Sequence, residues 1–244
     1  MLAKILLFCL IPVSVHSYTV NELTGLIDPS RHSGFVRLNG KYAFTDSKNH
    51  YLRKEAAEAL SEMSRSFEKY KSEYNSSGTK NIAVKITVIS STRTFDTQAG
   101  IWNGKWKGKY SSTKDDFVRG IEILKYSSMP GTSRHHWGTD FDINSLNNGY
   151  FASGDGKILF DWLEKNALKF GFARPYTAGR NGGYMEEKWH WSYLPLSVRF
   201  LAEWNAHYTN KKDFYIMKNY SGGVLFTEKA FEYVNVINPR CYLK

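Results

Sequence analysis

The chain has 244 residues, a formal charge of +10, and 7 Trp, 16 Tyr and 15 Phe. That length suits one good-sized domain, and buried aromatic surface on this scale implies a substantial core. Past the first residues no apolar run is long enough to span a membrane. The basic charge favours anionic cell-wall polymers or lipid head groups, and with no helix-turn-helix, zinc-finger or RNA-binding signature a nucleic-acid partner is set aside.

Met1 to Ser17 reads as a secretory signal: Lys4 gives the positive start, Ile5 to Val15 the short apolar stretch, and Val15 and Ser17 the small residues before cleavage. Cys9 lies in no lipobox, so lipid anchoring is not expected. Removing residues 1–17 leaves Cys241 alone, with no internal disulfide. The remaining 18–244 are then a single domain in an oxidising compartment, the periplasm or cell exterior, stabilised by packing and by a metal. Asn75-Ser76-Ser77 and Asn219-Tyr220-Ser221 match the glycosylation sequon.

Along the chain, Leu52, Ala56, Leu60, Met63, Phe67 and Tyr70 recur at helical spacing and predict a helix over Tyr51 to Tyr74, ended by the turn residues Asn75 to Gly78. Ile82 to Ile89 is a β-rich run that delivers Arg93 at its exit. Gln98 to Lys109, rich in Gly, Trp and Lys, reads as a surface loop beside a cleft. A short helix is predicted from Phe117 to Tyr126, and Met129-Pro130-Gly131 breaks the chain. Lys157 to Phe170 reads as a helix stopped at Gly171. Gly182-Gly183 turns into a strand from Tyr184 to Tyr193, and Pro195 opens a helix to about Ala206. No element is assigned to 213–244. Helices and strands mix without regular βαβ alternation, which predicts an α+β fold with a mostly antiparallel sheet.

Two short segments carry the chemistry: Ser133-Arg134-His135-His136-Trp137-Gly138-Thr139-Asp140-Phe141-Asp142 and Glu187-Lys188-Trp189-His190. His135, Asp142 and His190 supply two imidazoles and a carboxylate, a set suited to a zinc ion with one position open for water. Glu187, three residues before the last ligand, is placed to take a proton from that water. A calcium loop opening at Asp140 would need Gly at its sixth position and Glu at its twelfth, where this chain has Ser145 and Phe151. His136, adjacent to a ligand, reads as a residue that supports the site or faces the substrate rather than as a ligand. In a flat strand Glu187 and His190 would point to opposite faces, so a bend, bulge or strand end is predicted between them.

These segments resemble the signature of the VanY-type D-alanyl-D-alanine carboxypeptidases, in the wider group of zinc metallopeptidases that includes lysostaphin-like enzymes and the hedgehog domain. The family pattern is Ser-x-His-x-x-Gly-x-x-x-Asp followed by Glu-x-Trp-His. A third segment, Arg93-Thr94-Phe95-Asp96-Thr97-Gln98, matches its Arg-[Ser/Thr]-aromatic-x-x-Gln at a strand end, and the likeness runs from about Leu52 to about Tyr193. Asp140 departs from the pattern, where many members carry a small apolar residue.

The resemblance implies a small central sheet with helices on one side and zinc at the sheet. It implies one zinc ion on His135, Asp142 and His190, with Glu187 as general base. Arg93, Gln98 and Ser133 become substrate-binding residues, because a guanidinium grips a terminal carboxylate through two parallel hydrogen bonds. The expected activity is removal of the terminal D-Ala from peptidoglycan stem peptides by a monomer. The alternatives are an L,D-carboxypeptidase, a peptidoglycan endopeptidase, or a non-catalytic zinc-containing wall-binding or signalling module.

Overall fold

A computed structural model describes residues 17–78 and 81–242; the expected signal segment, apart from Ser17, and Cys9 lie outside them. The first part of the chain forms α1 (Val20–Thr24), β1 (Phe35–Arg37), β2 (Phe44–Thr45), β3 (Tyr51–Arg53), α2 (Lys54–Ser76) and β4 (Thr87–Ser90). Then come α3 (Phe95–Lys107), α4 (Asp116–Leu124), a 3-10 turn over Arg134–Trp137 and β5 (Asp140–Ile143). The rest comprises α5 (Gly154–Asn166), β6 (Phe172–Ala173), β7 (His190–Tyr193), α6 (Leu194–Asn210) and α7 (Thr227–Asn235).

Five strands make the central sheet in the order β2-β4-β5-β7-β6, antiparallel throughout except for the β2–β4 pair. β1 and β3 form a separate antiparallel ribbon. The fold is therefore α+β with a small, mostly antiparallel sheet.

Strand alternation divides that sheet. Phe141 and Ile143 of β5 and Trp191 of β7 join a core with Leu60, Met63 and Phe67 of α2 and Leu159 and Leu163 of α5. Fully burying each such side chain is worth about 1.5–3 kcal/mol. Residues one position along each strand face the other way: His190 packs against the Tyr176 ring, and Asp140 pairs with Arg134, whose guanidinium lies over the Trp137 ring. Those two rings belong to a second, aromatic core built with Trp102 of α3, Ile123 of α4, Trp204 of α6 and Tyr233 of α7. Helices thus cover both sides of the sheet, not the one side the resemblance implies.

Local differences from the sequence reading have physical reasons. Tyr51 and Leu52 belong to β3, where pairing with β1 defers the helix to Lys54. Residues 81–86 stay out of the sheet; the Asn75 side chain instead bonds both the N–H and the carbonyl of Ile82. That use of Asn75 also conflicts with glycosylation at its sequon. The segment expected to be a loop is helix α3. Thr94 caps it by accepting from Thr97 N, and Trp102 and Trp106, four residues apart, are both buried. Gly100 and Gly104 face open space, so the flexible composition sits on the solvent side. Gly171 does end its helical segment, with a left-handed φ of 83°. Among the described residues no helix is long and apolar enough to cross a membrane.

Candidate metal centre and active site

β5 and β7 pair with Asp142 opposite His190 and Asp140 opposite Ser192, so four polar side chains share one face. The 3-10 turn brings His135 to the same place. Gly138 ends that turn at φ 72°, and a Cβ there would lie 2.3 Å from the Phe35 ring, so this motif position demands glycine.

The neighbouring histidines serve different ends. His135 donates from Nδ1 to the Ser91 carbonyl at 2.8 Å, which leaves Nε2 as a lone pair. Burial, aided by the Arg93 charge, holds His135 down at about 4, so it stays neutral. His136 donates from Nδ1 to the Arg93 carbonyl at 2.8 Å and accepts at Nε2 from Gly131 N at 3.0 Å. Both of its nitrogens are used in the fold.

Among the described residues, His135, Asp142 and His190 form a group whose ligand atoms all lie within 4.8 Å of one another. His135 Nε2 is 3.4 Å from Asp142 Oδ2, and His190 Nδ1 is 3.0 Å from Asp142 Oδ1. His135 Nε2 and Asp142 Oδ1 are buried without a hydrogen-bond partner. Orphaned acceptors converging on one point are what a cation satisfies, and two imidazoles with one carboxylate fit zinc with a position left open.

Glu187 stands just before β7, separated from it by the turn at Lys188 and Trp189. Because the strand begins only at His190, Glu187 Oε2 can come within 3.7 Å of His190 Nδ1. Burial pushes its carboxyl up to about 8, against the pull of His190 and Arg93. The group opens into a cleft of about 850 Å³, lined by Arg93, Lys105, His135, Asp142, Glu187 and His190 among others. Arg93 reaches Asp142 Oδ2 from Nη2 at 3.2 Å and Gln98 Oε1 from Nη1 at 2.9 Å.

The family model for VanY, D-alanyl-D-alanine carboxypeptidase, matches residues 49–196, more than half the chain. The chain belongs to the VanY family. It is 30% identical over 184 residues to YodJ of Bacillus subtilis (strain 168), covering 72% of this chain and 58% of that protein. It is 32% identical over 117 residues to a D-alanyl-D-alanine carboxypeptidase of Enterococcus faecalis, covering 46% of this chain and 41% of that one. The chain thus spans about half the length of the curated relatives it matches. Among solved structures it is similar to a vancomycin-resistance D,D-pentapeptidase VanY in complex with Zn(II), at 20% identity and a TM-score of 0.48, covering 68% of this chain and 88% of that one.

Within this VanY-family site, the other two residues predicted for substrate stand behind the cleft wall. Gln98 is fully buried; it accepts from Arg93 and donates to the Ser128 carbonyl at 2.7 Å, so it braces Arg93. Ser133 is 1% exposed and precedes the 3-10 turn, with its hydroxyl unpaired. Lys105 was missed. It lies in the cleft wall with Nζ 2.5 Å from Ser127 Oγ, and among the described residues it forms no ion pair. Thr97, Ile101 and Lys105 all line the cleft at four-residue spacing, a signal hidden once the segment is read as a loop.

Proposed function

We propose that the chain is a zinc-dependent D-alanyl-D-alanine carboxypeptidase that removes the terminal D-Ala from peptidoglycan stem peptides. The observation that carries this reading is the convergence of His135, Asp142, His190 and Glu187 at one point of a cleft that Arg93 also lines. Family membership supports the peptidase chemistry, and the donor set of two imidazoles and one carboxylate supports zinc.

In this reading His135 binds the metal through Nε2, His190 through Nδ1, and Asp142 through its carboxylate. When bound, zinc supplies a Lewis acid that acidifies water and polarises a carbonyl. The Glu187 carboxylate takes a proton from the attacking water and returns it to the leaving amine nitrogen. Its buried setting makes it a stronger base than an exposed glutamate. Arg93, aimed by Gln98 and Asp142, binds substrate oxygen through its remaining N–H groups. Gln98 and Ser133 act from behind it. The same reading makes residues 18–244 one exported, monomeric peptidase domain behind a signal at 1–17, acting at the cell wall.

The test is cleavage of muropeptides followed by mass spectrometry, with zinc-loaded residues 18–244 and Glu187→Ala as control. Loss of one alanine from a pentapeptide ending in D-Ala-D-Ala, absent in the variant, is the expected result. Loss of alanine only from a tetrapeptide would replace the reading with an L,D-carboxypeptidase. Cleavage of neither, with zinc bound, would replace it with an endopeptidase or a binding module.

A further inference from the structure

Beside Asp142 the same strand face carries a second carboxylate, at the position where this chain departs from the family pattern. Asp140 Oδ1 accepts from Arg134 Nε at 2.9 Å and lies 3.0 Å from His190 Nε2. Its Oδ2 accepts from Thr139 Oγ1 at 2.5 Å and from Ser192 Oγ at 3.1 Å. Arg134 in turn donates from Nη2 to Ser192 Oγ at 2.6 Å, and its guanidinium lies 4.7 Å over the Trp137 ring. All five residues of this cluster, His190 included, are at most 2% exposed.

A buried carboxylate is tolerated only when its charge is matched and its lone pairs are filled. Here Arg134 matches the charge, and each oxygen has two polar partners. Neither Asp140 nor Arg134 lines the cleft, so the cluster has no direct access to a substrate there. Its link to the metal ligands is the Nε2 of His190.

We propose that Asp140, held by Arg134, is a positioning residue for the third zinc ligand. It accepts the Nε2–H of His190 and so commits that nitrogen away from the metal, with Nδ1 turned toward Asp142 and Glu187. The ring is then pinned across two strands, by Asp140 on β5 and by its own backbone on β7. A carboxylate on the far nitrogen also strengthens the near one as a donor, and losing such a partner weakens metal binding. The inference rests on the zinc reading above.

The test is zinc affinity, measured with the same residues 18–244 by competition against a chromophoric chelator. Three proteins are compared: wild type, Asp140→Asn, and the double variant Arg134→Met with Asp140→Ala. The double variant removes both charges together and leaves no uncompensated ion in the core, so it keeps the fold that a lone Asp140→Ala could lose. Its metal-free melting temperature is measured alongside. The expected result is a zinc dissociation constant raised about 10–100-fold in the double variant. Asp140→Asn is expected to change in the same direction. In zinc-loaded wild type, ¹⁵N-edited NMR should show a slowly exchanging imidazole N–H assigned to His190 Nε2, and the double variant should lack it. Equal zinc affinity in a folded double variant, with the His190 N–H still protected, would overturn the inference. A wild type that binds no zinc would instead overturn the zinc reading itself.

Discussion

The two faces of strands β5 and β7 are both buried and differ in chemistry, one apolar and one polar. One face carries Phe141, Ile143 and Trp191 into the core under α2 and α5. The other carries Asp140, Asp142, His190 and Ser192, all buried. Four-residue strands serve both ends because side chains alternate with a period of two, so neighbouring residues meet opposite surroundings. The apolar face needs only volume and shape. On the polar face each atom needs a specific partner, and a missing partner is costly.

If that division holds, substitutions on the two faces separate stability from chemistry. The largest effect is expected at Glu187, just before β7. Glu187→Ala should lower D-alanine release by about 10²–10⁴-fold, read by mass spectrometry, while zinc stoichiometry and the melting curve stay near wild type. A cooperative loss of structure in that variant would show that the site and the core are not separable. Arg93→Lys keeps the charge and loses the fork that meets Gln98 and Asp142. It should cost roughly 1.5–3 kcal/mol in kcat/KM, about a 10- to 150-fold loss in steady-state assays.

On the apolar face the readout reverses. Trp191→Ala should cost about 3–5 kcal/mol in urea unfolding. The catalytic rate of the folded fraction should fall far less than in the Glu187 variant. Removing zinc sits between the faces: at a free concentration about 100 times its Kd, zinc should add about 2.7 kcal/mol, lost on chelation and seen as a lower melting temperature. Ile143→Val is the smallest change, about 0.5–1.5 kcal/mol, with zinc affinity unaltered. A shift in zinc affinity there would mean that core packing sets the spacing of Asp142.

Much of the fold was legible where the periodicity was strong. The long run of α2, the helix stopped at Gly171 and the helix opened near Pro195 follow from residue spacing and end signals. Helix α3 did not, because its glycines and lysines mask two tryptophans one turn apart. The break between Glu187 and His190 could be reasoned out beforehand, since a continuous strand would have put them on opposite faces. The C-terminal segment gave no pattern because its 3-10 turns and short α7 are held by the aromatic core, through contacts such as Phe226 with Trp102.

By itself the sequence determined which residue types stand at fixed offsets: two histidines and a carboxylate, a glutamate three positions before the second histidine, a glycine where a turn allows nothing larger. Within each of the two segments, 133–142 and 187–190, those offsets are short enough for local backbone geometry to govern, but the segments themselves lie far apart in the chain. Tertiary structure alone decided that Arg93 is braced by Gln98 and tied to Asp142, that His136 holds the Arg93 backbone, and that Asp140 faces both Arg134 and His190. Asp140 and His190 are 50 residues apart, and only the register of β5 against β7 sets their distance. A one-residue slip would turn each of these side chains to the other face.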